Sequence, residues 1–350
     1  MKNLFHLFFS LALFFPKYFF IPLILIYFFK ILIPFSLHKL RINIWVLIIL
    51  IYGLVVFSYS YFNNNDLIIL LTESKILLPV FLLSFKYKLK INYDVLSRFI
   101  IIVFFLTLFH AMVFYNVIFR YMDIYQNYTG MISICYGFLL IFLMYNCSSK
   151  KILYLLVLCL LITGSGSAIL ASIPVIYYKF RTQIQGKFLF FFISLIIISL
   201  FVYTLIITQI SRGRSLDTFE TIDRFILISS YLKYLFNEFN FKLFFIGNGL
   251  GQEMNFLLKY MNNPIFEGYL MNESNYISGK NLHNEFFRIF SNFGLPFLIL
   301  LILQIKKIFP KPLFLSFIIA CFFNSIIYPT FFSILIISQI NKHDVQTKRI

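Results

Sequence analysis

The sequence predicts an all-α, polytopic membrane protein, and three observations carry that class. The 350-residue chain is 61% hydrophobic and only 12% charged, with a mean hydropathy of +0.88, far above a soluble domain. Its apolar runs approach the roughly 20 residues that a helix needs to cross a bilayer. Its Lys and Arg gather in short stretches between those runs, as in loops on the cytoplasmic side. The net charge of +17 therefore reports orientation, with no nucleic-acid footprint.

Element by element, the start MKNLFHLFFSLALFFPKYFF joins a charged end to an apolar run without a small-residue cleavage site, and is expected as a retained first helix. Clear spans are expected at 42–62, 67–85, 98–119, 128–146, 187–210 and 284–305. Three further apolar regions are interrupted: 4–36 by Pro16-Lys17, 151–178 by GSGS at 164–167, and 312–340 by Asn324 and Pro329. Charge resolves them. Lys39/Arg41, Lys86/Lys88/Lys90, Lys150/Lys151, Lys179/Arg181/Lys187, Lys306/Lys307/Lys311 and Lys342/Lys348/Arg349 mark cytoplasmic loops. Each interrupted region must then cross twice, which predicts about 12 transmembrane helices in a single membrane domain, 1–350, with both termini cytoplasmic.

The same parity places 63–66, 120–127 and the long connection 211–283 outside. That last loop holds seven Lys/Arg against seven Asp/Glu, near neutral where the cytoplasmic loops are basic. A long loop among short ones is where function concentrates. Asp217 and Glu220 have capping-box spacing ahead of FETIDRFILISSYLKYLFNEF, whose Phe219, Ile222, Phe225, Ile226 and Ser229 share a helical face, so an interfacial amphipathic helix is expected. No internal repeat supports an inverted-repeat transporter.

The Phe, Ile, Tyr, Asn and Lys richness is as compatible with an AT-rich genome as with aromatic recognition. The cysteines, Cys135, Cys147, Cys159 and Cys321, lack metal-ligand spacing and imply neither disulfide nor zinc site. GSGS at 164–167 lacks the rest of a phosphate loop and reads as a turn; GNGLG at 247–251 reads as a helix stop.

The chemistry-bearing residues meet at the ends of the long loop. Arg212, Arg214 and Arg224 stand just beyond one span and His283 just before the next, so the loop returns all four to one leaflet. Guanidinium forks suit phosphate or pyrophosphate and stay charged, although headgroup anchoring or snorkelling explains the same arginines. Asn284 is expected to cap a helix beginning near Glu285, whose dipole would keep His283 neutral and fit for general-base work. Glu73, Lys75 and His110 fall inside spans, where charge is costly, and are expected to face the bundle interior, in pairs or along a proton path. Arg120 and Asp123 are either an ion pair or part of a substrate rim. No acidic cluster or H-E-x-x-H suggests a metal, so arginines would stabilise the leaving group.

Five stretches in this order, LITGSGSAILA (161–171), DRFILISSYLKYLF (223–236), FFIGNGLG (244–251), HNEFFRIFSNFGLP (283–296) and NSIIYPTFF (324–332), resemble the O-antigen polymerase and O-antigen ligase superfamily. The likeness runs from about residue 150 onward; the earlier part matches in hydropathy alone. It implies metal- and cofactor-independent glycosyl transfer from an undecaprenyl-pyrophosphate-linked oligosaccharide at the outer face of the bacterial cytoplasmic membrane. Arg224 with Arg212 or Arg214 would bind pyrophosphate, His283 would take the acceptor proton, and Asn284 and Glu285 would support it. The chain departs from the family at Ser165-Gly166, where Ser-Arg is common, and at Glu285, where a small polar residue is common. Whether Glu285 orients His283 or only favours the helix start is open.

The leading expectation is a polymerase of O-antigen or capsular repeat units. A ligase acting on a finished glycan needs the same residues, and a lipid-linked oligosaccharide flippase is the alternative of another class. Charges beside one external loop, rather than in a central cavity, favour the enzyme. Membrane lipids are implied partners, and a chain-length regulator is left open.

Overall fold

The computed structural model describes residues 21–22, 44–63, 65, 67–82, 91–116, 125, 133–181, 223–252, 259–260, 284–323 and 335–336; within these every regular element is helical. Two helices, α1 (Ile44–Phe62) and α4 (Tyr93–Tyr115), are long and apolar enough to cross a membrane. In α1, Val46, Ile49, Gly53, Val56 and Ser60 recur at helical spacing and are buried, while Ile48, Ile51, Leu54 and Val55 stay exposed. A helix apolar on both its buried and exposed faces suits a lipid surround. At the start of α4, the Asn92 side chain accepts from the Asp94 and Val95 amides; at its end Asn116 turns left-handed with φ 52°, a conformation Asn tolerates.

The expected span 67–85 is broken into α2 (Leu67–Ser74) and α3 (Leu77–Leu82). Proline supplies the reason. Pro79 has no amide hydrogen, and its ring crowds the carbonyl four residues back, that of Lys75, where the ladder gives way. The break also separates the two charges expected inside the bundle: Glu73 is buried, whereas Lys75 emerges exposed. His110 corrects the same expectation. It lies on the exposed side of α4, and its Nδ1 pairs with the Tyr125 hydroxyl at 2.5 Å.

The region 151–178 forms the expected helical hairpin. Helix α5 (Ser133–Asn146) is followed by α6 (Lys150–Ile162) and α7 (Gly166–Phe180), and the turn between the last two contains Gly164 at φ 61°. Lys179 returns to donate to the Cys147 carbonyl at 2.7 Å, and the Tyr154 and Phe180 rings stand 5.7 Å apart. Both ends of the hairpin therefore lie together. Helices α5 and α7 approach closely: a Cβ on Gly137 would come within 2.2 Å of the Ala168 Cβ. On α7 and α5 packs a late helix, α12 (Lys311–Phe323), through contacts such as Phe138 with Phe317. The four cysteines are buried and none is in a disulfide.

The loop supplies α8 (Asp223–Glu238) and α9 (Phe241–Phe245); the chain then re-enters the bundle as α10 (Glu285–Phe293) and α11 (Leu295–Ile308). A single span at 284–305 was the expectation. Gly294, at φ 83° with Pro296 just beyond it, divides it, because a proline in the first turn starts a helix and cannot continue one. Most of the expected span 4–36, all of 187–210, most of 120–127, and Asp217 and Glu220 lie outside the described residues, as does 324–332; at 312–340 only the first limb is described in full, as α12.

Candidate functional site

Asn284 begins the site. Its Oδ1 accepts from the amides of Phe286 (3.0 Å) and Phe287 (3.1 Å), the N-cap the sequence predicted. Its Nδ2 also donates to the Phe322 carbonyl at 2.9 Å, so the start of α10 is tied to the end of α12. The next residue, Glu285, is fully buried. Its Oε1 accepts from Arg288 Nε at 3.0 Å and again from Nη2, while Oε2 has no hydrogen-bond partner among the described residues. The carboxylate is thus held by a guanidinium one turn on. That is a third role beside the two the sequence left open, and the residue missed was Arg288, legible only as the E-x-x-R spacing.

The glycine turn after α9 does more than stop a helix. Gly247, Gly249 and Gly251 all have positive φ, at 72°, 91° and 70°, a region glycine enters without strain. The alternation turns successive backbone groups toward side chains from distant elements. Leu250 donates its amide to Ser60 Oγ at 2.8 Å, Gly251 donates to Glu73 Oε2 at 2.9 Å, and Asn65 Nδ2 donates to the Leu250 carbonyl at 2.7 Å. Glu73, expected to pair with another charge or line a proton path, holds a backbone amide. A carboxylate accepting such an amide makes a charge-assisted bond, stronger than a neutral one.

Asn248 is the hub of the turn. Its amide donates to the Ser291 carbonyl at 2.6 Å, its Nδ2 donates to Ser291 Oγ at 3.0 Å, and its Oδ1 accepts from the Tyr234 hydroxyl at 2.8 Å. One side chain thereby joins α8 to α10. A second contact lies one turn earlier, where the Tyr231 ring stands 5.3 Å from Phe287. The two helices are thus joined once directly, at Tyr231 and Phe287, and once through the Asn248 side chain. Burial pushes both phenols up, which keeps them protonated and able to donate.

Of the predicted residues, Asn284 and Glu285 are placed at the head of α10. Arg224 is in the first turn of α8, seven residues and about 10 Å of helix before Tyr231 on the same face; its side chain lies outside what is described. His283, Arg212 and Arg214 lie outside the described residues. Among the described residues no group of three His, Cys, Asp or Glu comes together to hold a metal ion. An open cleft of about 410 Å³ lined by Asn92, Asp94, Asn146 and Ser148 shares no residue with this junction.

No protein-family model, curated protein or solved structure matches this chain.

Proposed function

We propose that the protein polymerises lipid-linked oligosaccharide repeat units of O-antigen or capsule, at the outer face of the bacterial cytoplasmic membrane, with both termini inside. The observation that carries this reading is the joint at Asn248. It ties the helix that bears Arg224 to the helix that His283 immediately precedes. A cation and a base supplied by two elements need such a joint to keep their separation.

In this mechanism Arg224, with Arg212 or Arg214, neutralises the pyrophosphate of the donor. His283 accepts the proton of the acceptor hydroxyl as its oxygen bonds to the anomeric carbon. The bond from that carbon to the pyrophosphate oxygen breaks with its electron pair, releasing polyprenyl pyrophosphate and inverting the anomeric configuration. No metal is required for these steps.

The test is surface glycan from bacteria whose only copy of the gene carries His283→Ala or Arg224→Ala. Electrophoresis is expected to show single repeat units with normal membrane levels of the protein. A wild-type ladder from His283→Ala overturns the base assignment. Long chains that persist on the lipid carrier but fail to reach their final acceptor indicate a ligase instead.

A further inference from the structure

The exposed aromatic residues of the loop are not explained by glycosyl transfer. Phe236 and Phe241 are 85% and 83% exposed, and Phe239 and Phe245 are exposed as well. A water-facing loop would not gather four such rings within ten residues of chain, since contiguous exposed apolar surface marks contact with something apolar.

Where the segment sits says what that is. Helix α1 has 19 residues, about 28 Å of helix at about 1.5 Å per residue, close to the thickness of a hydrocarbon core. Tyr52, near its middle, donates its hydroxyl to the Phe245 carbonyl. Tyr59, two turns nearer the end of α1, lies under Lys242 Nζ, 5.3 Å from its ring centroid. Descending α9 from Lys242 to Phe245 therefore follows α1 from near its end toward its centre. Gly294, about 13 Å along from Glu285, gives the same depth: a Cβ there would come within 2.2 Å of the Phe245 carbonyl oxygen.

Irregular backbone at that depth persists only where protein satisfies it. Here Tyr52 does so at Phe245, and Ser60, Asn65, Glu73 and Ser291 do so for the turn that follows.

We propose that 236–251 is a re-entrant element rather than part of an aqueous loop, and that Phe236, Phe239, Phe241 and Phe245 lie against lipid acyl chains of the leaflet into which Phe62 emerges. The segment meets α1 where Lys242 lies over Tyr59, two and three residues before the exposed Tyr61 and Phe62. Lys242 lets its ammonium reach the headgroups while its stem stays apolar. The assignment requires a membrane and is independent of the glycosyl-transfer reading.

The test uses the full chain in vesicles, with a bimane label on Phe241→Cys. The four native cysteines are buried, so the unsubstituted protein is the labelling blank; Ile51→Cys on the outward face of α1 is the lipid control and Lys259→Cys the water control. Bimane at 241 is expected to lose most of its fluorescence to dibrominated acyl chains, as at 51, and to resist iodide. Quenching by iodide as at 259 overturns the proposal. Quenching by neither places another protein surface over the ring and overturns it too. Phe236→Cys repeats the measurement should the first variant fold poorly.

Discussion

Two regions of the molecule are assembled on opposite principles. The group formed by α5, α6, α7 and α12 is largely apolar, with polar side chains such as Asn146 and Ser172 returned to their own helices, and is held by close approach, with Gly137 against Ala168 and Phe138 against Phe317. The junction of α1, α2, α8, α9 and α10 is held by polar side chains that grip backbone: Ser60, Asn65 and Glu73 on the 250–251 peptides and Asn248 on Ser291. In a lipid surround apolar side chains gain little by leaving lipid for one another, so the first region depends on tight van der Waals fit between small residues. The second spends its polarity on an irregular segment that would otherwise carry unsatisfied amides. A site for chemistry belongs to the second kind, because hydrogen bonds fix direction as well as distance.

The contrast can be broken at its strongest bond. Glu285→Leu leaves the Arg288 guanidinium without its carboxylate and is expected to destabilise the protein by about 3–5 kcal/mol, read as a lowered midpoint of thermal unfolding in detergent. Adding Arg288→Met should restore most of that loss, since an apolar pair of similar volume replaces a buried ion pair at little cost. A double variant no better than the single one would show that Arg288 serves partners beyond Glu285.

Next in size is Gly247→Ala. A Cβ there would lie 2.3 Å from the Ser291 carbonyl oxygen at a φ of +72°, so overpacking adds to left-handed strain, together about 3 kcal/mol. The same change at Gly137 has no φ penalty and its one tight contact is with the Ala168 Cβ; about 1–3 kcal/mol is expected, recovered in part by Ala168→Gly. If Gly137→Ala proves the costlier of the two, the apolar region is the more rigid. Smallest is Asn284→Ala, which removes the cap of α10 for about 1 kcal/mol. Its thermal midpoint should fall slightly; Asn284→Asp keeps the capping oxygen but sets a buried carboxylate against the Phe322 carbonyl, and should fall at least as far.

Much of the local architecture was legible. Asn284 was read as a cap because its side chain reaches amides two and three residues on, a bond that needs nothing beyond the chain nearby. The hairpin at 164–167 followed from charge on both flanks. The breaks at Lys75 and Gly294 leave no mark in hydropathy, on which the spans 67–85 and 284–305 rest, although Pro79 and Gly294-Leu295-Pro296 announce them. Glu285 and Glu73 were noticed for their charge, but neither partner was foreseen: Arg288 lies one turn away, and Gly251 lies 178 positions away.

The sequence by itself determined the helical, apolar character of the chain and the cap at Asn284, since these depend on composition and on neighbours within a turn. Only the tertiary structure decided that the glycine turn docks on Ser60, Glu73 and Ser291, and that Phe245 reaches the middle of α1. Hydrogen bonds between residues 190 positions apart, such as Leu250 to Ser60, leave no period or spacing in the chain. They exist because buried amides must find acceptors, and which acceptor they find is a property of the packed bundle.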